Sequence, residues 1–418
     1  MSSPFDTDSF RTVLEALAAD PCPDDALDWP KDRLQILASG GVMKWNLPRE
    51  FGGWELDDAD MLEGYRLLSA ACLVTTFILT QRNAACLRIT SSPNADARRR
   101  LLPQLAENRL FATVGISHLT TSGQHLKAPP VQAVPDGSGY RLTGLVPWAT
   151  GATSANLLVT GGQLEDGRQL LAAVPVNRPG LQVNDPVPLM ALNSSQTGSV
   201  RLTDVFVPPE DLLHGPIKAV MQHGAGGGAG SLGTSVLAAG ATDGMIRELD
   251  REAEGRPDLA EFVQSLRESE QRLVADIRRA VDGSHAAGSM ASEIVRRQAN
   301  SLVLRTAQTW LAATKGAGYV AGHVEQVAGL YRREEVRNRS AHRSQFQTHF
   351  FQLLFRCQNP PPTPSSFAET IYPGDYTRRG FGSGSKQVTM EDKILISLVY
   401  QLTGVRDGRR MGLGHDKT

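Results

Sequence analysis

The 418-residue chain is poor in the features that announce a specialised class of protein. Its four cysteines, Cys22, Cys72, Cys86 and Cys357, are widely separated and show no CxxC spacing. That argues against a disulfide framework and against a cysteine-rich zinc site, and it fits a reduced, intracellular protein. Neither sign of charge is in excess: 43 Lys+Arg face 44 Asp+Glu, a formal net charge of -1. Without a global field, a dedicated nucleic-acid or anionic-membrane partner is not expected. No apolar run approaches the roughly 18 residues of a membrane span. The start "MSSPFDTDSFRTVLEALAADPC" carries acids early and lacks a basic-then-apolar leader, so the expected location is the cytoplasm. Phosphate loops are missing too. "HGAGGGAGSLG" and "GFGSGSK" lack the Gly-Lys-Ser/Thr ending and do not join a parallel strand to a helix, so they read as flexible segments.

What is present is apolar material in ordered patterns. Hydrophobic residues make up 41% of the chain, enough for a real core, and the length implies two or three domains. From Phe10 to about Leu110 apolar residues recur at three- and four-residue spacings, as in "FRTVLEALA" and "MLEGYRLLSAACLVTTFILTQRNAACLRI", which predicts helices. Pro48 and Gly52-Gly53 break this run, and "SSPNAD" offers Ser and Asn caps to the basic helix that follows. From about Phe111 the period becomes strand-like, in "FATVGIS", "PVQAVPDGSGYRLTGLVPWAT", "ANLLVTGGQL", "QLLAAVPV" and "GSVRLTDVFVP". These predict an antiparallel β-barrel or sheet, with "PDGSG" as a hairpin turn. After "VPPEDLLHGP" long amphipathic helices return and predict a bundle. The expected fold is thus α+β and multidomain. It comprises an N-terminal helical domain (1–110), a central β-domain (111–216), a C-terminal helical bundle (217–351) and a loosely ordered Pro/Gly-rich tail (352–418).

Five phrases in this order resemble the acyl-CoA dehydrogenase family, over Phe10 to about Glu335. "LPREFGG" is similar to the family's Pro-x-x-x-Gly-Gly phrase. "RRRLLPQLAENRLFA" is similar to its Leu-Pro-x-Leu helix, with Asn108 where glycine is usual. "SGYRLTGLVPWATGATSANLLV", "SVRLTDVFVPPEDLL" and "GAGYVAGHVEQVAGLYRREE" resemble its tryptophan-bearing strand, its Asp-Val-x-Val-Pro strand and its glycine turn.

The resemblance implies a bound FAD between the β-domain and the bundle, a small acyl substrate such as a CoA thioester, and a homodimer or homotetramer. It places Trp148 against the isoalloxazine and Thr150 near N5, where a hydride is received and a short polar residue must sit beside a dry aromatic wall. Read without the neighbouring phrases, the same pair is a core tryptophan and a turn threonine. Ser117 matches the hydroxyl that reaches the pyrimidine edge. Gly316 and Gly318 match a paired-glycine turn at a partner subunit's pyrophosphate, with Arg332 or Arg333 following; a helix C-cap explains the two glycines equally well.

Departures from the family are also visible. His118 and Leu119 stand where Glu-Pro is common, and His118 and His125 are expected to be solvated loop histidines. The Arg-x-x-Phe-Gly phrase is missing, with Arg256 a weak substitute. Dehydrogenation of an acyl thioester needs a carboxylate base. Of the two positions the family uses, one reads "SAHRSQFQTHFF", with Ala341, His342 and Ser344, and the other is Gly233. His342 titrates in the right range, but in a polar stretch a solvated side chain is the simpler reading. Catalytic residues are therefore unassigned. Three functions compete: an FAD-dependent acyl-CoA dehydrogenase, a flavin-dependent oxidase or monooxygenase on the same scaffold, and a catalytically silent binding or oligomer partner.

Overall fold

A computed structural model describes residues 4–19, 28–120, 128–189, 191–224, 230–281 and 288–314. Five helices come first: α1 (Asp8–Ala19), α2 (Lys31–Ser39), α3 (Asp58–Ala71), α4 (Leu73–Thr90) and α5 (Ala95–Ala106). Local chemistry sets several of their ends. The Asp57 carboxylate caps α3 by accepting from Asp60 N. The Asn94 side chain caps α5 by accepting from the backbone of Asp96 and Ala97, in the "SSPNAD" stretch where the sequence offers a cap. The long apolar run through "LSAACLVTT" is not one helix. Cys72 takes an extended conformation (φ -155°, ψ 102°) and separates α3 from α4.

Eight strands follow: β1 (Ala112–Val114), β2 (Val131–Asp136), β3 (Gly139–Ala149), β4 (Leu157–Gln163), β5 (Gln169–Pro175), β6 (Leu181–Val183), β7 (Gly198–Val207) and β8 (Leu212–Ile217). They form one sheet in the order β6-β7-β3-β2-β4-β5-β8, with β1 beside β4. The barrel and the purely antiparallel sheet are both corrected by this arrangement. The sheet is open, because three-residue β6 pairs with β7 and β8 pairs with β5, at opposite ends of the path. It is also mixed, because β1 and β2 each run parallel to β4. The "PDGSG" hairpin is present: Asp136 pairs with Gly139, and Gly137 has the positive φ that the reversal needs.

The central strands are buried on both faces, which explains their nearly continuous apolar sequence. Leu157 and Val159 of β4 join Leu171 and Ala173 of β5 in a core with α4 and α5. Leu158, Leu170, Ala172 and Val174 point the other way, into a core with β2, β3 and β7.

Helices α6 (Gly230–Glu254), α7 (Ala260–Val281) and α8 (Gly288–Ala313) complete the described chain. Helices α1, α3 and α4 share one hydrophobic core with α6, α7 and α8, built around Trp45, Leu68, Leu79, Leu249 and Leu302. Helix α3 lies almost backbone to backbone on α6. A Cβ on Gly240 would meet Arg66 O at 2.3 Å, and Ser69 Oγ donates to Leu237 O at 2.8 Å. The expected tail and the Gly316/Gly318 turn lie outside the described residues.

Candidate functional site

The site grows from the end of β3, in the "PWATG" stretch. Trp148 is half-buried and Thr150 is buried. Gly151 turns the chain at φ +64°, and a Cβ there would sit 2.4 Å from the Trp29 ring. That ring in turn meets Phe111 edge-on at 5.5 Å. Glycine is required on both counts.

Thr150 is held from two sides. Its carbonyl accepts from Thr113 Oγ1 of β1 at 2.7 Å. Its own Oγ1 shares a hydrogen bond with Thr197 Oγ1 at 2.9 Å, and Thr197 shares another with Ser195 Oγ at 2.8 Å. Three hydroxyls thus form a buried run whose direction of donation can reverse. The segment that supplies Ser195 and Thr197 is strained, with Leu192 at φ +64° and Gln196 at φ +46° on either side of a short 3-10 turn, Asn193–Ser195. Such outliers persist where surrounding contacts over-determine the backbone. Gln196 supplies two of those contacts: its carbonyl accepts from Gly151 N, and its side-chain oxygen accepts from Thr153 Oγ1.

Ser117 follows β1, which starts beside the end of β3. After Val114 the chain continues beside β4, with Gly115 N donating to Val159 O at 2.9 Å and Thr160 Oγ1 donating to Gly115 O at 2.7 Å. Gly115 is pressed onto β3, since a Cβ there would meet Val146 Cγ1 at 2.6 Å and Trp148 O at 3.5 Å. The chain then closes a 3-10 turn, Ser117–Leu119. β1 and the residue after it thus touch Thr150, through Thr113, and Trp148, through Gly115, and lead into the turn that carries Ser117.

Among the described residues Ser117 Oγ is buried without a hydrogen-bond partner. An orphaned hydroxyl costs about 1–3 kcal/mol, and it fits a site whose missing acceptor is a ligand. His118 corrects an expectation: it is 7% exposed rather than solvated. Its Nε2 lies 2.9 Å from Gly161 O of β4, and so fills the place of a ladder donor just where β1 ends. Burial holds the imidazole below its ordinary pKa, partly offset by the Gly161 hydrogen bond.

The other sequence candidates divide. Arg256 donates to Ala313 O at the C-terminus of α8 and pairs with Asp258, the usual place for a cation at a helix end. Gly233, in the first turn of α6, faces open space, with nothing within 4 Å of an added Cβ. His125, Gly316, Gly318, Arg332, Arg333 and His342 lie outside the described residues. Sequence reasoning missed Trp29, Thr113, Ser195 and Thr197. For the last two a signal exists in the polar run "NSSQTG" before β7. Among the described residues no His/Cys/Asp/Glu group could hold a metal, and no helix is long and apolar enough to cross a membrane.

Residues 7–109 match the family described as acyl-CoA dehydrogenase, N-terminal domain. Through this segment the chain is similar to acyl-CoA dehydrogenases. It is 28% identical over 204 residues to a dibenzothiophene monooxygenase of Mycolicibacterium goodii, which covers 47% of this chain and 48% of that one. It is 29% identical over 183 residues to the cyclohexane-1-carbonyl-CoA dehydrogenase of Syntrophus aciditrophicus, covering 43% of this chain and 47% of the relative. The chain thus spans about half the length of the curated relatives it matches. Its fold is similar to a structure described as PigA with FAD and proline, with a TM-score of 0.64 at 15% identity, covering 84% of this chain and 98% of that one.

Proposed function

We propose that this protein is an FAD-dependent oxidoreductase whose flavin ring is received at the end of β3. The observation that carries this reading is the buried, unpartnered Ser117 Oγ in the turn that follows β1, the strand whose Thr113 holds the Thr150 carbonyl at the hydroxyl run of Thr150, Thr197 and Ser195. When bound, FAD supplies a two-electron acceptor that takes up or releases a hydride at N5. Ser117 donates to the pyrimidine edge. Trp148 walls one side of the site and excludes water. Thr150 presents its hydroxyl or backbone N–H toward N5, and Thr197, by donating its own proton to Thr150 Oγ1, leaves the Thr150 proton free for that contact. Gly316 and Gly318 belong to this proposal as a pyrophosphate contact in a homodimer or homotetramer. A cytoplasmic location and an acyl substrate, such as a CoA thioester, complete it.

For α,β-dehydrogenation of that thioester the chain must also supply a base. A second reading, a flavin-dependent oxidase or monooxygenase, is favoured by Gly233, where the described part of α6 presents open space and no carboxylate. Purification separates these readings. A yellow protein that releases FAD on denaturation supports the flavin site; a colourless protein that takes up neither FAD nor FMN overturns it. Anaerobic bleaching by acyl-CoA supports dehydrogenation. No bleaching, with oxygen consumed only when the flavin is reduced by an external donor, supports the second reading.

A further inference from the structure

The 3-10 turn that carries Ser117 holds a second orphan. His118 Nε2 faces the carbonyl oxygen of Gly161 at 2.9 Å. A carbonyl only accepts, so Nε2 carries the proton and Nδ1 is left with a bare lone pair. Among the described residues that Nδ1 is buried and has no partner. Two adjoining residues thus present complementary unmet groups: a hydroxyl able to donate at Ser117, and an acceptor at His118 that requires a donor.

An isoalloxazine pyrimidine edge carries the matching set, an imide N3–H between two carbonyl oxygens. We propose that His118 is a positioning residue for the flavin: its Nδ1 accepts the imide N3–H, while its Nε2–H remains on Gly161 and fixes both the tautomer and the ring. This rests on the flavin reading above. The anchoring carbonyl belongs to β4, at the point where β1 stops supplying ladder hydrogen bonds, so the sheet itself sets the direction of the imidazole.

The test is binding, read by flavin fluorescence quenching and the visible spectrum, with FAD and with FAD methylated at N3, which lacks the donor. The expected result for the wild-type chain is FAD bound about tenfold more tightly than the methylated form, the weight of one buried hydrogen bond. Two variants assign that preference. His118→Gln keeps a donor near Nε2 but no acceptor near Nδ1, and should lose the preference. His118→Asn keeps an acceptor near Nδ1 and should retain it. Equal binding of both flavins by the wild type overturns the proposal and needs no variant. So does a preference kept in His118→Gln and lost in His118→Asn, which would make the imidazole only a plug for Gly161. If the wild type binds neither flavin, the flavin reading itself falls; if it binds both alike, only the role of His118 falls.

Discussion

Two buried polar regions of this molecule are built on opposite principles. Between α3, α6 and α7, Arg66 makes a two-pronged contact with Glu63 (2.7 and 3.1 Å) and also faces Asp243 at 3.4 Å and Glu270 at 3.7 Å. Arg278 reaches Glu63 and Arg247 reaches Asp243, so charge is answered by charge within the cluster. At the end of β3 and in the turn after β1 the groups are neutral hydroxyls and one imidazole, and two of their atoms, Ser117 Oγ and His118 Nδ1, have no partner among the described residues. The first region joins helices distant in sequence. Glu270 Oε1 of the first also lacks a hydrogen-bond partner, but it faces the Arg66 guanidinium at 3.7 Å, whereas no charged group answers Ser117 Oγ and His118 Nδ1 among the hydrogen bonds and ion pairs of the described residues.

Arg66→Leu should separate the two regions most strongly. It leaves Glu63, Asp243 and Glu270 facing one another in a largely buried place, and the expected loss is about 3–5 kcal/mol in denaturant unfolding. Flavin affinity of the folded fraction should not change; a change would show the two regions to be coupled. Gly151→Ala attacks the other region. Its Cβ needs a left-handed backbone costing about 1–2 kcal/mol and meets Trp29 at 2.4 Å, so stability and flavin binding should fall together. Thr197→Val removes the middle hydroxyl and should cost about 1 kcal/mol per hydrogen bond lost, while perturbing the flavin spectrum. An unchanged spectrum would remove Thr150 and Thr197 from the site.

The smallest effect is the pH dependence, and its sign differs between the regions. Burial depresses His118 below 6.5, so its contribution to stability is present above that value and is lost as pH falls. Burial raises Glu270 above 4.5, with Asp243 and Glu63 adding to the shift and Arg66 opposing it. Its contribution is present at acid pH and is lost as pH rises through the raised value. Glu63 runs against Glu270: burial pushes it up, but the Arg66 and Arg278 contacts outweigh this and hold it low. In unfolding measured against pH, His118→Gln should flatten the decline below about 6.5, and Glu270→Gln should flatten the opposite trend above about 4.5.

Much of the architecture is legible along the chain because it depends on neighbours in sequence. The change from a three- and four-residue period to alternation near Phe111, the Asp136–Gly139 hairpin and the Asn94 cap all rest on contacts a few residues long. Sheet closure is not local. Whether β6 meets β8 depends on residues about 30 positions apart, and pattern alone cannot choose between an open sheet and a barrel. The same limit hid Thr197, which is bonded to Thr150 across 47 positions. It also made His118 look like a solvated loop residue, since its partner Gly161 is 43 positions away.

Legible in the sequence alone were the order helices, strands, helices, the hairpin turn at Asp136–Gly139 and the residue types available at the end of β3. Periodicity, capping and backbone freedom act through the covalent chain and need no partner to be read. The open sheet, the core shared by α3 and α6, and the hydrogen bonds that join Thr113, Thr150, Thr197 and Ser195 came from tertiary structure. Hydrogen bonds between distant strands and the burial of shared faces depend on where the chain returns, and that is set by packing of the whole.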